Sequence, residues 1–368
     1  EERECILFLR LPTLIGGTAL MIKSSSKGYA GIDCFRMIAA FMVIAIHTSP
    51  FLSWNETLDF LITFVICRLA VPFFLTCTGF FVLGSFCETG KSTSLLRSLH
   101  KLLILYGVAT ILYLPVNLDA GNLPTSLGEL LRMLFFDGTF YQLWYLPATI
   151  VGLVFTGFLL RCFSLRTTGI LVGVLYIIGL FGDSYYGLTA YIPGLQNLYD
   201  FSFQISSYTR NGILFAPTFL WLGAWIHQGH QSKTPGIPFV LSLMFLITEG
   251  YLTWRLNLQR HNSFYVLLPL CTFYLFQLLL YIPGKARPAL RWFSMNLYVI
   301  HPFCIAVLLL IFNTVGFGYF LETHSFIHYL LVCALSIFGA YTLHFIELLW
   351  HRHFKSPAKR FSHREKSF

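Results

Sequence analysis

The sequence predicts an all-α, polytopic membrane protein, a helical bundle with about ten transmembrane helices. Hydrophobic residues make up 56% of the 368-residue chain and charged residues only 11%, whereas a soluble domain carries about 25% charged residues. The mean hydropathy is +0.68, and apolar runs recur that approach the roughly 20 residues needed to cross a bilayer. These observations exclude an ordinary soluble domain, and they predict that the lipid bilayer surrounds most of the chain.

The ten apolar runs define the expected helices, with boundaries accurate to a few residues. The third and fifth runs are short, so a tilted or partly re-entrant helix is expected at each. The runs cover residues 32–50, 60–84, 101–116, 143–160, 168–182, 212–227, 236–253, 263–282, 293–312 and 326–350.

Basic residues predict the orientation of these helices. Lys and Arg gather in every second loop and in the tail, whereas the alternate loops contain few of them. Because positive charge is retained on the cytoplasmic face, the chain is predicted to cross the plasma membrane many times with both termini in the cytoplasm. Topology therefore explains the net charge of +9, and no nucleic-acid partner is expected.

Three regions are expected along the chain. Residues 1–27 form a leader or cytoplasmic N-terminal segment, in which Met21 is a candidate native start. Residues 28–350 form the transmembrane domain. The basic tail, residues 351–368, is predicted either to anchor on anionic lipid or to link the bundle to a further cytoplasmic domain.

Ionisable residues within the apolar runs are the candidate functional groups, since burying them in a bilayer is costly. Arg36 and His47 are eleven residues apart, which puts both on one face of the first helix, about 16 Å apart along its axis. Asp33 is expected to pair with Arg36. We predict a polar stripe facing a cavity, with His47 accepting a proton. The alternative is that Arg36 snorkels and that a neighbouring helix satisfies His47.

Arg68 is the candidate for binding an anion. Pro72, four residues later, cannot donate to the Arg68 carbonyl, so the second helix is expected to kink there. The planar donors of a guanidinium beside this free acceptor suit a carboxylate or a phosphate. The alternative is a structural ion pair with Glu249 or Glu347.

Further binding candidates are spread over the later helices. Trp144 and Tyr145 open the fourth helix, where an aromatic belt at the membrane surface competes with a cavity-lining role. Arg210 stands at the outer mouth of the sixth helix. The remaining candidates are Asp183, Glu249, Asn296 and His301. The nine cysteines have no metal-ligand spacing and no phosphate-binding loop is present, so neither a metal site nor a cofactor of this chain itself is predicted.

Four segments, in order, resemble motifs of the acyltransferase-3 family of membrane proteins, from about Gly31 to His351. The resemblance implies that Arg36 binds the phosphates of acyl-coenzyme A and that His47 deprotonates an acceptor hydroxyl. The segments are GIDCFRMIAAFMVIAIH with Arg36 and His47, RLAVPFFLTCTGFFVL with Arg68, WYLPA with Trp144 and Tyr145, and NLYVIHP with Asn296 and His301.

Within that family, the sequence is most similar to the membrane domains of the membrane-bound serine racemases of vancomycin resistance. FGDSYYGL around Asp183 and TRNGILFAPTFLWLG around Arg210 carry this resemblance. It implies that a cytoplasmic racemase domain, which contains the pyridoxal phosphate, follows the membrane part. No residues of this chain remain for that domain, so racemase activity is not expected of the chain alone.

Three functions remain open on the sequence. The first is uptake or supply of L-serine to a racemase that makes D-serine-ending cell-wall precursors. The second is acyl transfer from acyl-coenzyme A to a hydroxyl or amine by Arg36 and His47, and the third is a membrane anchor whose buried charges are structural. For serine, we expect the carboxylate at Arg68 with Arg36 or Arg210, the ammonium at Glu249 or Asp183, and the hydroxyl at His47, Asn296 or Tyr145.

Overall fold

The computed structural model describes residues 28–355. The predictions for the leader, for Met21 and for most of the basic tail lie outside the described residues. Within that range all regular structure is helical, as the sequence predicted. The helices are α1 (Ala30–Thr48), α2 (Glu56–Thr89), α3 (Thr93–Asp119), α4 (Leu127–Arg132), α5 (Tyr145–Cys162), α6 (Leu165–Phe181), α7 (Leu195–Ser202), α8 (Ala216–His227), α9 (Gly236–Arg255), α10 (Leu268–Leu280), α11 (Pro288–Thr314), α12 (Gly318–Thr323) and α13 (Ser325–Lys355).

Ten of these helices match the ten predicted runs, and α4, α7 and α12 are short helices in the connections. Seven of the described helices are long and apolar enough to cross a membrane. The prediction of a short third helix was wrong, because α3 has 27 residues. It begins at Thr93 and so includes Arg97, which lies before the predicted run of 101–116, and it ends at Asp119. The fifth helix, α6, is short as predicted, with 17 residues.

Helices α1 and α11 run parallel and are joined near their first turns. The buried Asp33 carboxylate accepts hydrogen bonds from the Arg291 side chain at 2.7 and 3.1 Å and from the Arg287 backbone N–H at 2.8 Å. The predicted pairing of Asp33 with Arg36 was therefore wrong. Arg291 is the stronger partner because its guanidinium donates two hydrogen bonds to the Asp33 carboxylate at once.

Helix α2 is irregular at two places. Wide π-type turns cover Ile62–Ile66 and Gly79–Leu83, and a tight 3-10 turn covers Cys67–Leu69, which contains Arg68. The helix is thus irregular at Arg68, where the sequence predicted a kink, and Pro72 itself lies in the regular stretch Ala70–Thr78. At Gly79, α2 lies so close to α8 that an added Cβ would meet the Leu220 carbonyl oxygen at 2.0 Å. Only glycine permits this contact.

Three long connections, residues 120–144, 182–215 and 256–267, join to form one layer at the end of the bundle that holds His47. Asp137 accepts from the backbone N–H and hydroxyl of Ser207 at 3.0 and 2.7 Å. The Gly187 N–H donates to the Leu258 carbonyl at 2.7 Å. These contacts hold the loops firmly over the ends of the helices.

Candidate functional site

Two histidines from different helices meet inside the bundle. The rings of His47 and His301 are stacked with centroids 5.6 Å apart, and the Tyr141 ring stands edge-on to His47 at 5.7 Å. His47 is the last residue but one of α1, and His301 lies fully buried within α11. The sequence singled out both residues, and the parallel packing of α1 and α11 brings them together.

Tyr113 supports the turn of α11 that presents His301. Pro302 has no N–H and interrupts the backbone hydrogen bonds of that turn. The Tyr113 hydroxyl donates to the Val299 carbonyl at 2.6 Å and accepts from the Phe303 N–H at 3.2 Å. Tyr113 is fully buried, so α3 fixes the irregular backbone beside the histidine pair.

Arg68 and Arg210 are half-buried cations, and neither forms an ion pair with an acidic residue among the described residues. Arg68 donates to the Asn262 side-chain oxygen, which corrects the alternative that Arg68 forms an ion pair with Glu249. The Arg210 guanidinium lies over the rings of Trp144 at 4.9 Å and Tyr208 at 4.4 Å. Burial, and then the charge of Arg68, lower the pKa of Arg210 to about 10, so it remains protonated at neutral pH.

The two cations and the histidine pair lie close to one another inside the protein, since Arg68, Arg210 and His301 all act electrostatically on His47. His47, Arg68 and Arg210 lie deep within the protein, and both arginines are within electrostatic range of His47. Each nevertheless keeps surface that water can reach, since all three are only half-buried. We infer from the two properties together that these side chains line a shared hollow.

Several buried polar atoms around this hollow have no hydrogen-bond partner within residues 28–355. Such atoms are rare in folded proteins and call for an explanation such as a bound water, ion or ligand. These unpartnered atoms include both hydrogen-bond donors and hydrogen-bond acceptors. They are Nε of Arg68 and Arg210, Oε1 of Gln142, Oδ2 of Asp183 and Nε2 of His301. Nε of Arg36 also has no partner in the described part of the chain, but it lies farther from the histidine pair.

A row of aromatic rings connects the histidine pair with Arg36. Tyr298 lies 5.9 Å from His301 and 5.4 Å from Tyr145, measured between ring centroids. Arg36 is within electrostatic range of Tyr145. Arg36 therefore lies at the far end of this row, while His47, Arg68 and Arg210 share the near end. Tyr145 lies in the interior, as does Trp144 beneath Arg210, rather than in an aromatic belt.

Glu249, Asn296 and Asp183 each form hydrogen bonds with groups outside the cluster of arginines and histidines. The Glu249 carboxylate accepts from the Tyr185 hydroxyl at 2.7 Å and from the N–H groups of Val266 and Leu267 at 2.5 and 2.9 Å, just before α10. These bonds explain its burial without a ligand. The Asn296 amide donates to the Trp292 carbonyl of its own helix at 2.9 Å.

Asp183 organises the loop that follows α9. Its carboxylate accepts from the N–H groups of Ser263 and Phe264 at 2.7 and 3.0 Å, and it lies 3.4 Å from His261. Burial acts to raise the pKa of Asp183, but His261 and these N–H groups outweigh it, so the net shift is downward. Asp183 Oδ1 therefore holds the loop, whereas Oδ2 lies 3.4 Å from His261 Nδ1 and accepts no hydrogen bond within residues 28–355. The expectation that Asp183 binds a substrate ammonium stays a prediction.

Four residues of the site region were not found from the sequence. They are Tyr113, Gln142, His261 and Asn262. Gln142 had a weak signal, as an isolated amide two residues before the WYLPA segment. The other three contact residues more than 75 positions away in the chain. No local sequence pattern therefore pointed to them.

Spanning helices that enclose buried arginines and histidines define a multi-pass membrane protein with a polar site inside the bundle. Residues 29–345 match the acyltransferase domain family, and the chain belongs to that family. No solved structure matches the chain.

The chain is also similar to curated proteins of enterococci. It is 37% identical over 320 residues to an amino-acid racemase of Enterococcus faecalis, a match that covers 85% of this chain and 45% of the relative. It is 34% identical over 321 residues to a serine/alanine racemase of Enterococcus gallinarum, covering 83% of this chain and 45% of the relative. The chain thus spans about half the length of these relatives.

Proposed function

We propose that this chain is the membrane domain of a serine racemase system, which binds L-serine and supplies it to a cytoplasmic racemase domain. The observation that carries the proposal is the set of buried, unpartnered donors and acceptors on Arg68, Arg210, Gln142 and His301. A zwitterion has a carboxylate for the donors and an ammonium group for the acceptors. A bound amino acid therefore satisfies both kinds of atom at once.

The carboxylate is assigned to Arg68 and Arg210. Their guanidinium groups lack an acidic partner among the described residues, and an unpaired buried charge costs several kcal/mol. A ligand carboxylate removes that cost through charge-assisted hydrogen bonds. The ammonium is assigned to the Gln142 oxygen and the His301 Nε2, in place of the acidic residues expected from the sequence. His47 faces the hydroxyl.

The relatives support the rest of the proposal. Their names describe racemases of amino acids, and this chain corresponds to less than half of each. We infer that a domain carrying pyridoxal phosphate acts as the partner on the cytoplasmic side of the plasma membrane. Its D-serine would enter cell-wall precursors that resist glycopeptides such as vancomycin.

Binding of radiolabelled L-serine to the chain in lipid nanodiscs tests this proposal. Arg68→Gln and Arg210→Gln are each expected to weaken binding about tenfold or more, because each removes a charged partner of the carboxylate. Arg161→Gln, on the exposed end of α5, is the matched control and should bind normally. The proposal fails if the unmodified chain binds no serine.

Acyl transfer is the second candidate function, favoured by the aromatic row from Arg36 to His47 and by the family of the chain. In this reaction His47 takes the proton of an acceptor hydroxyl, whose oxygen attacks the thioester carbonyl. The carbon–sulfur bond breaks and the coenzyme A thiolate leaves, with Arg36 holding the phosphates. Binding of acetyl-coenzyme A that is lost in Arg36→Gln, together with absence of serine binding, would favour this candidate over the first.

A further inference from the structure

An open cleft of about 270 Å³ lies beside the site, in the loop layer at the His47 end. Its volume equals that of roughly nine liquid waters at about 30 Å³ each. That is enough for a small amino acid and too little for an acyl-coenzyme A. The lining comprises Phe60, Phe64, Trp254, Asn257, Gln259, Arg260, His261 and Asn262.

One wall of the cleft is aromatic and rigid. Phe60 and Trp254 are stacked with ring centroids 4.6 Å apart and an interplanar angle of 13°. Phe64 continues this wall inward, and the Arg68 guanidinium lies 5.6 Å from the Phe64 ring centroid. The aromatic wall therefore leads from the loop layer directly to Arg68.

The polar part of the lining belongs to the loop after α9, and hydrogen bonds fix this loop in place. The Gln259 amide donates to the Thr253 hydroxyl at 2.7 Å, and the Arg260 backbone N–H donates to the Asp183 carbonyl at 3.0 Å. Burial and the charge of Arg210 lower the pKa of His261 to about 4. The His261 ring is therefore neutral at pH 7, with one donor and one acceptor nitrogen.

Asn262 belongs to both the cleft and the inner site. It lines the cleft, and its side-chain oxygen accepts the hydrogen bond from Arg68. This neutral amide is the hydrogen-bond partner of Arg68 among the described residues. A carboxylate offers a guanidinium a full negative charge and two acceptor oxygens, which a neutral amide oxygen does not. A carboxylate that reaches the base of the cleft can therefore replace Asn262 on Arg68.

We propose that the cleft is an outer binding subsite for a small amino acid, and that Asn262 occupies Arg68 until the ligand carboxylate displaces it. The inference rests on the proposed function and adds the route by which the ligand reaches Arg68. The aromatic wall contacts the aliphatic part of the ligand. The Asn257 amide and the neutral His261 bind its ammonium and hydroxyl groups.

Two substitutions at position 262 with opposite expected effects test the proposal. Asn262→Asp places a permanent carboxylate on Arg68 and should weaken L-serine binding in nanodiscs about tenfold or more. Asn262→Ala removes the competing amide, so the affinity should be unchanged or higher. Asn122→Asp makes the same charge change in an exposed connection and should bind serine as the unmodified chain does.

Site-specific cysteine labelling tests occupation of the cleft itself. L-serine should slow maleimide labelling of Gln259→Cys, followed by mass spectrometry, and should leave labelling of Asn122→Cys unchanged.

The outcomes separate the two proposals. Serine binding that survives in Asn262→Asp overturns the role of Asn262 and leaves the proposed function standing. Equal weakening by Asp and by Ala at position 262 also overturns it, since Asn262 would then support binding rather than compete with it. Labelling of Gln259→Cys that serine does not slow overturns the outer subsite. Absence of binding to the unmodified chain overturns the proposed function as well.

Discussion

Replacement of Asp33 by Asn should loosen the parallel pair of α1 and α11. The Asp33 side chain is 2% exposed and accepts three hydrogen bonds, two of them from Arg291. Removing one partner of a buried ion pair costs about 3–5 kcal/mol of unfolding free energy. The Arg291 side chain is 29% exposed, so water compensates part of its loss. We therefore expect a cost of about 2–3 kcal/mol for Asp33→Asn.

A double-mutant cycle measures this interaction in the chain itself. Unfolding free energies in mixed micelles are needed for Asp33→Asn, Arg291→Gln and the double variant. The single effects should not add, and the coupling energy should be at least about 1 kcal/mol, because the two side chains contact each other directly. Glu88→Gln is the matched control, since Glu88 is 67% exposed in its pair with His227 and such pairs contribute less than about 1 kcal/mol. Simple additivity at Asp33 and Arg291 would refute this account of how the two helices are joined.

Three other predictions concern the supports of the site. Tyr113→Phe should lower the unfolding free energy by about 1–3 kcal/mol. Because it also releases the turn at Pro302, it should weaken serine binding. An unchanged serine affinity would show that His301 is not part of the site. Acidification from pH 6.5 to 4 should destabilise the fold by up to about 3 kcal/mol, because the unfolded state protonates His261 in that window while its folded pKa is about 4. His261→Gln should flatten this profile, and a slope that persists would refute the assignment. Glu249→Gln should lower thermal stability but leave serine affinity unchanged, whereas a selective loss of affinity would restore Glu249 to the binding site.

The fold class and the positions of ten of the helices followed from the sequence alone. Both depend on composition and on the length of apolar runs, which are local properties of the chain. Errors arose where a helix continued beyond its apolar run, as α3 does through Arg97 at its start. The side of the membrane on which each end lies stays a prediction from the distribution of Lys and Arg.

Candidate residues could be found from the sequence, but their partners could not. Arg36, His47, Arg68, Arg210 and His301 stood out because an ionisable residue among apolar neighbours is costly and needs a reason. Local geometry suggested that Asp33 would pair with Arg36, three residues away. Only the packing of α11 on α1 showed that the Asp33 carboxylate forms its ion pair with Arg291.

The sequence by itself thus determined which groups are buried, because hydrophobic surroundings can be read along the chain. Tertiary structure alone decided which buried groups are paired and which are free, because hydrogen bonds join atoms that are distant in the chain. Glu249 proved to be satisfied by backbone N–H groups. Arg68 and Arg210 proved to lack an acidic partner within residues 28–355, and that difference locates the candidate site.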